Sequence, residues 1–206
     1  QNVEVLAAQI RLYDPDIAVI YDASKHSELK QAVSGDGVKT KILSGAEGML
    51  EAASLEVDWT MMATVGAAVT LPVLMRTLTH GTTVAIANKE SLVCAGPLVL
   101  AAAARHGATI LPVDSEHNAV FQVLEDQNRA QLSHITITAS GGPFLRTPLE
   151  ALESVTLEQA LNHPVWAMGL KNTIDSATMV NKGLEVIEAG MLFELPSEQI
   201  EVLIHP

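Results

Sequence analysis

WTMMATVGAAVTLPVLMRTLTHGTTVAIA, residues 59–87, decides the fold class. Residues 59–65 read as a strand, residues 69–78 carry apolar side chains at helical spacing, and residues 82–87 form a second short apolar run. Parallel strands need a crossover between them, so a strand, a helix of about ten residues and another strand form the unit from which parallel sheets are built. The same alternation runs upstream: Val3, Leu6 and Ile10 share a helix face, Ile17-Ala18-Val19-Ile20 is a buried strand, residues 24–33 a helix, 39–43 a strand and 45–55 a helix. The pattern predicts an α/β chain with a mostly parallel, doubly wound sheet.

Downstream, residues 89–106 read as a long apolar helix with a possible break at Gly96-Pro97. The character then changes. Strands at 109–113 and 134–138 are separated and followed by polar loops at 114–118, 140–143 and 162–175, before a last helix over 176–195 and a strand at 200–204. Polar loops hung on apolar strands are where sites are built. We therefore expect an α/β domain over residues 1–107 followed by an α+β domain over 108–206.

Composition excludes several classes. With 206 residues, 48% of them hydrophobic and 17% charged, the chain has the material for a real core and is not disordered. The most apolar stretch, residues 95–104, is about half of what a bilayer-spanning helix needs, so no membrane span is expected. A formal charge of −12 repels a phosphate backbone, which argues against nucleic acid as a partner. One cysteine, Cys94, makes no internal disulfide and points to a reducing, cytoplasmic compartment. Gln1-Asn2-Val3-Glu4 has neither initiator Met nor signal core and reads as an interior start. No G-x-G-x-x-G occurs; Gly66 offers a single glycine at a strand-to-helix turn, either an ordinary turn or a remnant of a phosphate-binding one.

Four segments carry candidate chemistry, each with two readings. Asp114 and Glu116 lie two apart where an apolar strand ends, so on extended backbone their carboxylates point the same way and would suit a hard cation if a third joined them; alternatively Asp114 or Ser115 caps the next helix. Asn181 and Glu185 share a helix face with Lys182 beside it, a poor mid-helix choice next to Gly183 unless function selects it, yet Lys182 and Glu185 also form an ordinary surface pair. Ser140-Gly141-Gly142-Pro143 offers a hydroxyl and flexible amides that hold an anion or simply turn the chain, and Asp175-Ser176-Ala177-Thr178 is either a helix cap or a second phosphate contact. His163-Pro164-Val165-Trp166-Ala167-Met168 places a large aromatic in a loop, as a lid over substrate or as core filling.

Together with Ala87-Asn88-Lys89-Glu90-Ser91 upstream, the order of Pro112-Val113-Asp114-Ser115-Glu116-His117-Asn118-Ala119, Ser140-Gly141-Gly142-Pro143-Phe144, His163-Pro164-x-Trp166 and Asp175-Ser176-Ala177-Thr178-Met179-x-Asn181-Lys182-Gly183-Leu184-Glu185 resembles the 1-deoxy-D-xylulose 5-phosphate reductoisomerase family. The likeness runs through essentially all 206 residues. It implies a Rossmann-like NADPH-binding domain over 1–107 and a catalytic domain over 108–206. The implied reaction is NADPH- and metal-dependent conversion of a small phosphorylated sugar, 1-deoxy-D-xylulose 5-phosphate, to 2-C-methyl-D-erythritol 4-phosphate in isoprenoid precursor biosynthesis, by a homodimer.

By the same resemblance Asp114, Glu116 and Glu185 would bind Mg²⁺ or Mn²⁺ and, with Lys89, be catalytic. Ser140, Ser176, Asn181 and Lys182 would hold the substrate phosphate, with Ser115 and Lys89 near the substrate backbone. His163, Trp166 and Met168 would belong to the loop that closes over the site. Gly66, Asn88, Lys89, Glu90 and Met168 would border the cofactor. The family's amino-terminal strand with its Gly-rich loop, and its carboxyl-terminal helical domain, have no counterpart in residues 1–206, so the sequence is expected to be truncated at both ends. Two alternatives stay open: a non-catalytic fragment that binds metal and phosphorylated ligand, and an NADPH oxidoreductase without a metal.

Overall fold

The structure, a computed structural model, describes residues 2–162 and 169–204. It alternates helices with short strands and pairs strands in parallel, the α/β class that the periodicity predicts. The chain divides into two compact units, one of residues 1–84 with 99–110 and one of residues 85–98 with 111–206.

In the first unit, α1 (Val3–Tyr13) starts where the Asn2 side chain accepts the Val5 N–H at 3.1 Å. Its Val3, Ala7 and Ile10 lie on one face and bury against Ala18 and Ile20 of β1 (Ile17–Ile20) and against Leu29 and Val33 of the α2 region (His26–Ala32). Burying a side chain such as Ile10 or Leu29 contributes roughly 1.5–3 kcal/mol. The helix ends at Asp14, in the left-handed conformation with φ 39°, and the Asp14 carboxylate accepts the Lys39 N–H at 2.8 Å. That contact fixes the lead into β2 (Lys41–Ser44), which pairs in parallel with β1 from Ile17↔Lys41 to Ile20↔Ser44. Then follow α3 (Gly45–Ala52), β3 (Trp59–Met62), α4 (Ala67–Leu78), β4 (Thr83–Ile86), α5 (Lys89–His106) and β5 (Thr109–Pro112), with strand order β3-β4-β5.

Proline breaks α5, as expected, but the non-helical residue is Ala95 (φ −145°, ψ 26°), just ahead of Gly96-Pro97. A ring without an N–H removes one helical bond and crowds the carbonyl four residues back, so the disturbance falls on the turn before it. A Cβ on Gly96 would stand 3.0 Å from Met191 Cγ, so glycine permits close packing there. Residues 85–98, the first half of α5 included, fall in the second compact unit and residues 99–110 in the first.

The second unit pairs β6 (Ile135–Ala139) in parallel with β7 (Ile200–Ile204), in register from Ile135↔Ile200 to Ala139↔Ile204. Alternate residues of β6 point inward, and Ile135 and Ile137 pack with Ala189, Phe193 and Leu195. Around this core lie α6 (Ser115–Val123), α7 (Leu157–Leu161), α8 (Leu170–Ala177) and α9 (Val180–Phe193). Two expectations are corrected here. Part of the presumed loop at 162–175 is helix α8, whose polar sequence hid a face that buries Thr173 and Ala177, four residues apart. The helix expected over 176–195 is interrupted at Met179, which adopts φ 67°, so α9 begins anew at Val180. Among the described residues, no helix is long and apolar enough to cross a membrane.

Candidate metal centre

Three elements of the second unit bring five charged side chains together. The chain leaves β5 through Asp114, which occupies the N-cap position of α6 without making a side-chain capping bond. The capping alternative for Asp114 therefore does not describe it: its carboxylate turns instead to the Lys89 ammonium. Asn118 secures this turn by donating from Nδ2 to the Pro112 carbonyl at 3.0 Å and from its backbone N–H to the Asp114 carbonyl at 2.8 Å. Lys89 is the first residue of α5, and Asn88 before it accepts the Ser91 N–H at 3.0 Å as an N-cap side chain does.

The third element is α9. Because Met179 interrupts the helix, Asn181 and Lys182 lie in the first turn of α9, which removes the objection to a mid-helix Asn. Glu185 follows one turn later on the same face and is only 2% exposed. Its Oε1 accepts from Lys89 Nζ at 2.8 Å and from Asn181 Nδ2 at 2.5 Å, and its Oε2 pairs with Lys182 Nζ. Lys89 Nζ also donates to Asn181 Oδ1 at 3.0 Å. Lys182 Nζ reaches across to Glu116 Oε1 at 2.7 Å, and the Ser115 hydroxyl donates to Glu116 Oε2 at 2.6 Å.

Three carboxylates thus share two buried ammonium groups, an arrangement with an excess of one negative charge. The environment splits their acidities. Burial pushes the Asp114 carboxyl above its ordinary value, and Lys89 only partly offsets this. Burial acts in the same sense on Glu116, but Lys182 and the Ser115 hydroxyl outweigh it and hold that carboxyl down at about 2. For Lys89, the penalty of burial is overcome by Asp114 and Glu185, which raise its pKa and keep it charged.

The donor set fits a divalent cation. One carboxylate oxygen from each of Asp114, Glu116 and Glu185 lies within 4.8 Å of the others. Glu185 Oε2 is buried with an ion-pair partner but no well-aligned hydrogen bond, leaving acceptor capacity turned toward the cluster. Three oxygen ligands without sulfur suit Mg²⁺ or Mn²⁺ better than zinc.

Two buried residues beside the cluster were not singled out by sequence reasoning. His117, fully buried, has Nε2 at 2.8 Å from the Glu185 carbonyl oxygen and Nδ1 at 3.1 Å from Glu188 Oε2. Burial lowers the His117 pKa, but the Glu188 carboxylate and the Glu185 carbonyl more than reverse this and raise it. The available signal was the spacing of Asn181, Glu185 and Glu188 at i, i+4 and i+7, three polar residues on one helix face. Lys171 was missed as well; its Nζ bridges Glu90 Oε1 at 2.7 Å and Asp175 Oδ2 at 2.6 Å.

The remaining candidates fall elsewhere. The Ser140-Gly141-Gly142 turn lies against the end of α8: Gly142 has φ 70°, and a Cβ there would overlap the Ser176 carbonyl oxygen. Glycine at 142 thereby brings the segments of Ser140 and Ser176 side by side. Gly66, with φ 85° and open space where a Cβ would stand, precedes α4 in the first unit and caps it without a side chain, which leaves backbone N–H groups for an anion. Asn88 Nδ2 donates to Glu90 Oε2 at 2.9 Å. His163, Trp166 and Met168 lie outside the described residues.

Comparison with known proteins agrees across the chain. The family model for 1-deoxy-D-xylulose 5-phosphate reductoisomerase matches residues 1–96, and the model for that enzyme's C-terminal domain matches residues 110–193. The 1-deoxy-D-xylulose 5-phosphate reductoisomerase of Gluconobacter oxydans is 50% identical over 205 residues, covering 100% of this chain and 50% of the relative. That of Zymomonas mobilis is 49% identical over 206 residues, covering 100% and 52%. The solved structure of the Zymomonas mobilis enzyme in complex with NADPH superposes with a TM-score of 0.89 at 47% identity, over 100% of this chain and 52% of that one. A DOX-P reductoisomerase in complex with NADPH, fosmidomycin and magnesium gives a TM-score of 0.91 at 43% identity, over 99% and 52%. The chain spans about half the length of the curated relatives it matches.

Proposed function

The chain belongs to the 1-deoxy-D-xylulose 5-phosphate reductoisomerase family, and from that membership we propose that its protein isomerises and reduces 1-deoxy-D-xylulose 5-phosphate to 2-C-methyl-D-erythritol 4-phosphate with NADPH and Mg²⁺ or Mn²⁺. The single observation that carries the proposal is the convergence of Asp114, Glu116 and Glu185 within 4.8 Å, with Glu185 brought from α9 to the start of α6.

Asp114, Glu116 and Glu185 hold the cation in this reading. A bound divalent cation supplies a Lewis acid for the hydroxy-ketone oxygens of the substrate, and NADPH supplies the hydride. The protein's own share is charge and orientation. Lys182 holds the Glu116 carboxyl down at about 2, Lys89 offsets part of the effect of burial on Asp114, and both ammonium groups face Glu185, so that the donor set is held together for a cation. Asn181 and Lys182 stand at the start of α9, where free N–H groups and the helix dipole favour an anion. With Ser140 and Ser176, whose backbone segments meet at Gly142, they form the phosphate subsite in this reading. Phosphate binding away from the reacting carbons supplies orientation. Gly66, Asn88, Lys89 and Glu90 are assigned to the cofactor, Ser115 to the substrate backbone, and His163, Trp166 and Met168 to the closing loop. A cytoplasmic location rests on the single free thiol of Cys94, and a homodimer on family membership.

The test is NADPH oxidation by the full-length protein with 1-deoxy-D-xylulose 5-phosphate and Mn²⁺, repeated with a chelator. Substrate-dependent oxidation that the chelator abolishes and Mn²⁺ restores is the expected result. Turnover undiminished by the chelator would favour an oxidoreductase that needs no metal and would sink the proposal.

A further inference from the structure

The His117–Glu188 pair has no task in the reading above, yet both side chains are almost completely removed from solvent, at 0% and 1% exposure. Burial of two polar groups is unfavourable unless they satisfy one another or something else. The hydrogen-bond chemistry limits what they can be. The Glu185 carbonyl oxygen, 2.8 Å from Nε2, only accepts, so Nε2 carries a proton. Nδ1 then faces Glu188 Oε2 at 3.1 Å, and neither atom has another hydrogen-bond partner among the described residues. The contact is within ion-pair distance though off the line of a well-formed hydrogen bond. A bare lone pair on Nδ1 against an ionised carboxylate would be repulsive, so one proton lies between them.

The placement gives this pair a consequence. His117 directly follows Glu116 on α6, and the carbonyl it holds belongs to Glu185 itself on α9. The imidazole therefore links the backbone of one candidate metal ligand to the helix that bears another. Glu188, one turn beyond Glu185 on the same helix, faces the opposite edge of the ring and fixes its rotation and its proton. We propose that Glu188 is a positioning residue which, through His117, holds Glu185 in register with Asp114 and Glu116 for cation binding; this rests on the metal-centre reading given above. Outer partners that orient ligands in this way typically change metal affinity by about 10–100-fold when removed. Asp114, His117 and Glu188 also present ligand atoms within 4.8 Å of one another. Occupation of His117 Nε2 by a carbonyl, with Glu188 already against Nδ1, favours a clamp over a second cation site.

Mn²⁺ affinity and stoichiometry, read by electron paramagnetic resonance of the free ion on the full-length protein, test the inference without relying on turnover. Glu188→Ala is expected to weaken Mn²⁺ binding about tenfold, while Glu188→Gln, whose amide still meets the ring, stays within about threefold of the wild type. His117 variants separate the two contacts should Glu188→Ala fail to fold. An amide in His117→Gln lies where Nε2 does and keeps the Glu185 carbonyl, so affinity stays near wild type; His117→Asn reaches only toward Glu188 and binds about tenfold more weakly. A folded Glu188→Ala protein with wild-type affinity, or the reverse order of the two His117 variants, overturns the positioning role. Loss of a second bound Mn²⁺ with the first unaffected also overturns it and makes the pair a ligand set. A wild-type protein that binds no Mn²⁺ overturns the metal-centre reading itself.

Discussion

Glu185→Gln is expected to lower substrate turnover by about 10³-fold or more while leaving the protein folded. The substitution preserves shape and changes one buried oxygen into an amide nitrogen. It removes a charge that faces both Lys89 and Lys182, and in the proposed metal centre it replaces an anionic ligand by a weak neutral one. A bound cation stabilises developing negative charge by several kcal/mol, and each 1.36 kcal/mol is a factor of ten in rate, so loss of about 4 kcal/mol corresponds to roughly 10³-fold. The same variant should show much weaker Mn²⁺ binding. Steady-state kinetics at saturating Mn²⁺, beside a thermal melt, is the measurement; turnover within about tenfold of the wild type would remove Glu185 from the centre.

Lys89→Met carries the second large effect, and in stability. Lys89 Nζ compensates Asp114 and Glu185, and the three side chains are between 3% and 15% exposed. Removing one member of a buried ion-pair network leaves uncompensated charge and destabilises by about 3–5 kcal/mol. Urea unfolding of metal-free protein near neutral pH should show a loss of that order. The sign with pH is definite. Burial already raises the Asp114 carboxyl above 3.8, and without the ammonium it rises further, so the penalty grows as pH climbs through the folded-state value. Below the unfolded carboxylate range both states are protonated there, and the deficit should shrink. A loss below about 1 kcal/mol would mean that the network contributes far less than its burial implies.

Much of this was legible in the sequence, for local reasons. Strand and helix periods differ, so the alternation through residue 112 can be read directly, and Asp114 and Glu116 stand out as neighbouring carboxylates at the end of an apolar strand, although Glu116 lies in the first turn of α6 and not on the extended backbone that the i, i+2 reading assumes. Other features depend on contacts that no local pattern encodes. Lys89 meets Glu185 across 96 residues of sequence, and nothing around either announces the other. His117 and Glu188 looked like ordinary members of polar helices until the fold buried them together. The α8 helix is short and mostly polar, and its buried residues are the small Thr173 and Ala177 while Leu170 and Ile174 stay exposed, so its sequence suggests a loop. The left-handed Met179 was unreadable for a different reason: it is not glycine or asparagine, the residues that usually mark such a break. The division of the chain runs through the kinked α5, so no composition shift marks it.

The central claim is that Asp114, Glu116 and Glu185 form one cation site, with Lys89 and Lys182 as its charge partners. Anomalous scattering from a crystal of the protein grown with Mn²⁺ tests it most directly. We predict a single strong peak within coordination distance of oxygens from all three carboxylates, with no peak between His117 and Glu188. A peak elsewhere, or its absence at a Mn²⁺ concentration that supports turnover, would contradict the account.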